Sequence, residues 1–209
     1  MCKIALLGFC LSLALAAEEA SDHYVRQTKT EQMDFPTGGL LRVNHAIGDL
    51  TIEGWDQPGI EISTTKTTKS EFDGQNRERA AQELEQVQIT SERMGNELTL
   101  TETYPRHGRF LFWPGTTNFD LDTHIFVPRN ARLEVQGSGD LYIHNVTGEI
   151  DTDVSHGTIV LRMPQQGHYD IDAKSKFGSV TSDFPGKEQR TTWLVGHDFI
   201  ELEQLQGHV

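Results

Sequence analysis

Residues 135–161 constrain this chain more than any other stretch. They read Val-Gln-Gly-Ser-Gly-Asp-Leu-Tyr-Ile-His-Asn-Val-Thr-Gly-Glu-Ile-Asp-Thr-Asp-Val-Ser-His-Gly-Thr-Ile-Val-Leu. Short β-forming runs are separated by Gly139, Gly148 and Gly157, and the beat continues at Gly167, Gly178, Gly186, Gly196 and Gly207. Apolar side chains sit two and four places after most of these glycines: Leu141 and Ile143, Ile159 and Leu161, Tyr169 and Ile171. Alternation is the signature of a strand, and glycine supplies the backbone freedom of a tight corner. Two beats make a repeat of about 19–20 residues, a period at which supersecondary units stack. The expectation is an all-β chain: a parallel β-solenoid, β-helix-like, with a sheet-rich N-terminal part and one short helix. Leu141, Ile143, Ile159, Leu161, Tyr169, Ile171, Ile200 and Leu202 should then point into one core.

The remaining chain fits around that stretch. Gly48-Asp49-Leu50-Thr51-Ile52 repeats the pattern of Gly139-Asp140-Leu141-Tyr142-Ile143. Residues 76–86 carry Ala80, Ala81 and Leu84 among Arg, Glu and Gln, with no Gly or Pro, and predict the helix. Its Ala80 and Leu84, with Val87 beyond, can pack on a sheet face. Residues 87–92 and 97–103 flank Arg93-Met94-Gly95-Asn96, a hairpin signal. Residues 104–118 read as a loop around Phe110-Leu111-Phe112-Trp113, the most apolar run after the leader. Residues 119–127 form an amphipathic strand ending at Pro128. Residues 198–207 repeat the pattern of residues 139–148, so the chain stops just after a corner. That open last turn, with Ile200 and Leu202, predicts self-association by strand pairing.

The first 16 residues stand apart. Lys3 precedes an apolar run at residues 4–15, too short to span a bilayer, and Ala14-Leu15-Ala16 has the small-x-small form of a leader-peptidase site. Residues 1–16 are read as a signal peptide, cleaved before Ala17, and residues 17–209 as one domain with sub-regions at about 35–128 and 129–209. Phe9 before Cys10 is too bulky for a lipid-attachment motif. Both cysteines, Cys2 and Cys10, lie in the leader, so the exported part has no disulfide and no thiol nucleophile. Cleavage leaves 17 basic against 31 acidic residues, a net charge of −14. That balance opposes nucleic acid and anionic lipid as partners, and no second apolar stretch reaches membrane length. An exported protein, periplasmic, extracellular or on the cell surface, is expected.

Catalytic signatures are lacking. No Gly-x-Ser-x-Gly elbow, His-Glu-x-x-His or Cys/His pairing is present, and Gly137-Ser138-Gly139 leads into a strand and not a helix N-terminus. Several of the nine histidines fall beside corner glycines, in solvated positions. Asp120, Asp122 and His124 share one strand face and are weighed as a metal face against a solvated one. A calcium site is the sharper candidate. If the half-turns after Gly148 and Gly167 stack, Asp151 lies on Asp170 and Asp153 on Asp172, which puts four carboxylates on one outward patch. Oxygen ligands of that kind suit Ca²⁺, and screening by water and Lys174 or Lys176 is the bland reading. Phe110, Phe112 and Trp113 are the candidate partner contact, as an interface or sugar-stacking surface or as a cap on the core.

Three motifs together resemble the bacterial "putative adhesin" family of exported β-solenoid domains. They are Gly48-Asp49-Leu50-Thr51-Ile52-Glu53-Gly54-Trp55-Asp56, Val127-Pro128 leading to Leu133-Glu134-Val135, and Ser138-Gly139-Asp140-Leu141-Tyr142-Ile143 with Gly148. The resemblance covers the chain from about Phe35 and rests on structural residues. It implies a parallel solenoid with a sheet-rich N-terminal part, exported; its name carries no ligand, and it transfers no catalytic residue. The chain as a whole is read as a non-enzymatic, adhesin-like interaction or structural module of the envelope or surface, with an envelope or surface protein or a glycan as partner. The alternative is a carbohydrate-binding or carbohydrate-cleaving β-helix protein. Cleavage would need acids clustered with a basic partner in a groove, and the acids here are spread along the chain.

Overall fold

The computed structural model describes residues 24–45, 47–69, 74–103, 119–164, 171–182, 187–193 and 197–203, the last two segments in backbone only. The leader, Phe110, Phe112, Trp113, Tyr169 and Asp170 lie outside the described residues, as do the side chains of Ile200 and Leu202. The strands are β1 (Arg26–Met33), β2 (Leu40–His45), β3 (Asp49–Trp55), β4 (Ile60–Thr68), β5 (Gln88–Met94), β6 (Glu97–Thr103), β7 (Phe119–Pro128), β8 (Arg132–Gly137), β9 (Asp140–His144), β10 (Ile150–Arg162), β11 (Ile171–Ser182), β12 (Lys187–Trp193) and β13 (His197–Glu203). The helix α1 (Gly74–Glu85) lies between β4 and β5.

Eleven strands form one sheet in the order β1-β4-β7-β3-β9-β10-β8-β2-β6-β5, with β11 also paired to β10. The sheet curls along a line where four segments turn a corner. The chain passes from β2 to β3 at Gly48 and from β8 to β9 at Gly139, while β10 and β11 run through theirs at Gly157 and Gly178. The corners stack backbone on backbone. A Cβ on Gly139, at φ 117°, would lie 1.9 Å from the Gly48 carbonyl oxygen, and one on Gly157, at φ 119°, 2.2 Å from that of Gly139. No residue but glycine fits such an approach at such a φ.

The curl produces two walls facing one core. The first wall holds β5, β6, β2, β8 and the leading halves of β10 and β11; the second holds β1, β4, β7, β3, β9 and the trailing half of β10. Leu41, Val43, Leu133, Val135 and Ile150 from the first pack against Leu50, Ile52, Ile125, Leu141, Ile143, Ile159 and Leu161 from the second in a single cluster. The expected inward set is therefore seen wherever side chains are described, Ile171 included. The two similar motifs lie directly on each other: Asp49 pairs with Asp140, Leu50 with Leu141 and Ile52 with Ile143.

The sheet is a mixed, curled half-barrel, which corrects the expectation of a parallel β-solenoid. Pairs β1/β4, β4/β7 and β5/β6 are antiparallel. Successive turns also do not stack in chain order: β2 lies between β6 and β8, both of which come later. The last two strands pair antiparallel in a small sheet of their own, in place of the parallel turn that residues 198–207 predict. Register differs too. Ile150 pairs with Ile171, an offset of 21 residues where the glycine beat predicts 19. Alternation fixes which side chains point inward, and any neighbour with the same alternation satisfies it, so the glycine period does not specify strand order.

The hairpin and helix form as their sequences predict. Gly95, at φ 62°, opens a two-residue turn between Met94 and Glu97, the position a type II′ turn reserves for glycine. Helix α1 buries Ala80 and Leu84 against Val25, with Ala81 and Phe119 beside them. Lys66 reaches from β4 to donate to the carbonyls of Leu84 at 3.1 Å and Val87 at 2.5 Å, satisfying acceptors that a helix C-terminus leaves open. Burial there lowers the Lys66 pKa, and Lys29 adds to the effect.

Candidate functional site

Side chains that alternate with the core face outward, and in the second wall the register sorts them into rows across β4, β7, β3 and β9. One row runs Thr65, Asp122, Asp49, Asp140. The next runs Ser63, His124, Thr51, Tyr142, and the third Glu61, Phe126, Glu53, His144. Neighbours within a row are about 4.8 Å apart and rows about 6.8 Å. An open groove of about 520 Å³ follows the middle row, bounded by Asp49 and Asp122 on one side and by Glu61 and Phe126 on the other.

Carboxylates are crowded along it. Burial pushes the Asp49 carboxyl above its ordinary value, and Asp140 and Asp122, one on each side, push it further; Asp120 adds to this and His45 opposes it. Tyr142 is raised as well, by burial and then by Asp140 and Asp49, so its phenol keeps its proton and remains a donor at neutral pH. Rings line the other margin. Phe126 stacks on Trp55 at 5.3 Å and 23°, and meets the tilted ring of His124 at 4.3 Å. Trp55 is fixed by its indole N–H, which donates to the Gly59 carbonyl at 3.2 Å. His124 Nε2 lies 3.5 Å from Glu53 Oε2. The edge by β1 is closed by short polar pairs: Thr30 with Ser63 and Thr28 with Thr65, each at 3.1 Å, and Gln32 donating to Glu61 at 2.6 Å.

Beneath the corner lies a buried pair that the sequence does not announce. His45 and Glu102 have side chains only 4% and 2% exposed, with Nδ1 at 2.8 Å from Glu102 Oε2. His45 Nε2 lies 3.0 Å from the Gly48 carbonyl, which can only accept, so that nitrogen carries a hydrogen. Nδ1 faces the carboxylate, an arrangement that favours the imidazolium form. Burial opposes that charge, but the hydrogen bond and charge of Glu102, the Gly48 carbonyl and Asp49 outweigh it and raise the His45 pKa. Thr123 donates to the other Glu102 oxygen at 3.3 Å. The carboxylate thus sits between hydroxyl and imidazole, whereas a nucleophile needs its hydroxyl on the imidazole. The signal that could have found the pair is the polar His45 on an inward position of its strand, matched by Glu102 on an inward position of β6.

The first wall holds the described part of the calcium candidate. Asp151 lies beside Asp172, not Asp170, and Asp153 beside Lys174. Lys174 donates to Asp172 at 2.6 Å, and Asp151 sits between Asp172 and Glu134. Burial and then Asp172 raise the Asp151 pKa, against a lowering by Lys174. In the second wall Asp120 pairs with Lys69 at 3.0 Å, away from His124. Among the described residues no group of three or more His, Cys, Asp or Glu side chains is placed to hold a metal ion. Sequence reading singled out Asp122 and His124 as one strand face but missed Asp49, Asp140, Tyr142 and Phe126, which come together only through pairing.

Among the described residues no helix is long and apolar enough to cross a membrane. No family model matches the chain, and no curated protein matches it. Similar solved structures include a "putative cell adhesion protein" from Clostridium sporogenes, at 15% identity and TM-score 0.48, covering 85% of this chain and 88% of that one. Another is a "putative adhesin" from Parabacteroides distasonis, at 13% identity and TM-score 0.32, covering 74% of this chain and 64% of that one. A "putative lipid binding protein" from the same organism is similar at 12% identity and TM-score 0.30, over 74% of this chain and 71% of that one. At such identities and scores none of them assigns this chain a ligand.

Proposed function

We propose that this chain is an exported, non-catalytic binding module of the cell envelope or surface, adhesin-like in the sense the sequence motifs imply, and that the outer face of the second wall is its recognition surface. The observation that carries the reading is the open groove on that face, built from side chains the core does not need. The buried His45–Glu102 pair supports the non-catalytic half, since both side chains are almost wholly withdrawn from solvent. The leader-like first 16 residues and the acidic balance support the export half. An envelope protein or a glycan is the partner class.

The test is binding of the labelled mature protein to bacterial envelope fragments, compared between outward variants of the two walls. Tyr142→Ala with Asp49→Asn on the second wall should reduce binding strongly, while Arg42→Gln on the first should not. Equal binding by all three proteins would overturn the assignment of the face. Intact mass of exported material tests the address: a chain starting at Ala17 is expected, and one retaining Met1 contradicts it.

A further inference from the structure

We infer that the groove takes an oligosaccharide, neutral or amine-bearing, lying across the strands of the second wall; this rests on reading that wall as the recognition surface.

The argument starts from hydrogen-bond capacity. Ionised carboxylates only accept, and they stand on both sides of the middle row: Asp122 and Asp49 along one margin, Glu61 along the other. The groove's own donors are largely engaged: Ser63 and Thr65 pair with Thr30 and Thr28 and His124 lies against Glu53, which leaves the Tyr142 phenol and the Thr51 hydroxyl for a ligand. A ligand that fits must therefore bring donors at close spacing. Every sugar hydroxyl donates and accepts, so a saccharide can give its hydrogens to the carboxylates and take one from Tyr142. An extended peptide brings a carbonyl for each N–H, and those carbonyls would face carboxylates. Nor can a peptide pair with the backbone here, because β7, β3 and β9 are hydrogen-bonded to strands on both sides. Anionic ligands, acidic glycans among them, are repelled by the same row that raises the Asp49 pKa.

Shape agrees with charge. Thr51 is short, so the floor of the groove is low between the rings of His124 and Tyr142, and Ser63 keeps it low on the far side of His124. Aromatic rings offer flat apolar faces with a polar tip, the form against which the C–H face of a pyranose packs. Tyr142 and His124 are separated by one strand, so they stand about 10 Å apart and can address different sugar units of one chain. The support is rigid: Phe126 stacks on Trp55 and meets the tilted ring of His124, and the Trp55 indole is tied to Gly59. A site on the centre of a sheet is held in place before its ligand arrives. An amino group on the sugar would gain a charged partner in Asp49 or Asp122, with attraction that weakens as salt rises.

The test is calorimetric titration of the full mature chain with four probes: chitotetraose, its fully deacetylated cationic counterpart, tetragalacturonate and a lysine-rich peptide. Chitotetraose and the deacetylated oligomer should bind, the latter more tightly at low salt, and the galacturonate should not. Tyr142→Ala should weaken binding at least tenfold. Asp49→Asn, which keeps the side chain's shape, should weaken the deacetylated oligomer more than chitotetraose, and Asp151→Asn on the other wall should change neither. Binding of neither sugar, tighter binding of the peptide, or equal affinity in Tyr142→Ala and Asp49→Asn would overturn the inference. If envelope binding still depends on the second wall while neither sugar binds or competes, the saccharide falls and the recognition surface stands. Release of new reducing ends from a bound oligomer would instead keep the saccharide and refute the non-catalytic reading.

Discussion

The two walls share a core, a corner and an alternation, yet the centres of their outer faces place bases among the acids differently. On the first wall Arg42 reaches Glu134 at 2.7 Å and also pairs with Glu97, while Lys174 pairs with Asp172 at 2.6 Å. On the second, Asp122, Asp49 and Asp140 stand side by side, and the ion pair of Lys69 lies out on Asp120. A fold that needed only solubility could have treated both faces alike. Exposed pairs contribute little to stability, so setting bases among the acids of one wall and leaving the centre of the other without them has small energetic effect and a large effect on what each face attracts.

The comparison can be broken most severely at the corner that joins the walls. Gly139→Ala places a methyl 1.9 Å from the Gly48 carbonyl oxygen at a φ of 117°, and is expected to cost about 5 kcal/mol or more. Gly95→Ala, whose Cβ meets nothing within 4 Å, carries only the strain of its φ of 62°, about 1–2 kcal/mol. Urea unfolding of the two variants separates close approach from backbone strain; equal losses would show that the corner is not close-packed. Next in size is the pair beneath that corner. Glu102→Gln leaves the His45 imidazolium buried without its counter-charge, a loss of about 3–5 kcal/mol. Because the folded His45 pKa is raised, its stabilisation is full below about pH 6.5 and disappears as pH climbs through the folded value. Unfolding measured at pH 6 and pH 9 should show the decline in the parent chain and a flatter profile in Glu102→Gln.

The shared core should not distinguish the walls. Leu133→Ala in the first and Ile143→Ala in the second, both at buried positions, should each cost about 2–5 kcal/mol in the same unfolding assay. A loss confined to one wall would show two cores where one is drawn. The smallest effect is the most diagnostic. Asp151 and Asp49 are both held above the ordinary carboxylate value, so ionising them at neutral pH weakens the fold. Both face water, and screening limits the gain from Asp151→Asn or Asp49→Asn to a few tenths of a kcal/mol. Thermal melting should show similar small rises, with and without Ca²⁺, while only Asp49→Asn alters binding.

Local features were legible in the sequence and neighbour relations were not. Leu141, Ile143, Ile159 and Leu161 announce their burial by alternation, and Gly95 announces its turn. The likeness of residues 48–52 and 139–143 marks segments that stack in register, although the solenoid expectation did not say which strands lie beside them. The slip from Asp170 to Asp172 opposite Asp151 has the same origin. A shift of two residues preserves every inward and outward position, so no hydrophobic signal opposes it. The groove was hidden for a related reason: its rows draw on β4, β7, β3 and β9, and Asp122, Asp49 and Asp140 become neighbours only once strand order is known. The one available hint was the aspartate following the corner glycine in both motifs.

Strand order also governs when the fold can be completed. Leu41 pairs with Leu98 on one side and Leu133 on the other, and Leu50 with Thr123 and Leu141. Those partners are made long after β2 and β3, so most contacts of these two strands are distant in sequence. High contact order of this kind slows folding, since loop closure precedes any reward from pairing. A chain threaded from its N-terminus, whether from a ribosome or across a membrane, presents Leu40–His45 early and must hold it unpaired until residues 97–101 have emerged for one side and residues 132–137 for the other. Asp49–Trp55 waits longer still, because both its neighbours, β7 and β9, follow residue 118; it is therefore the segment most exposed to wrong partners during biogenesis, and the one a holding chaperone would shield longest.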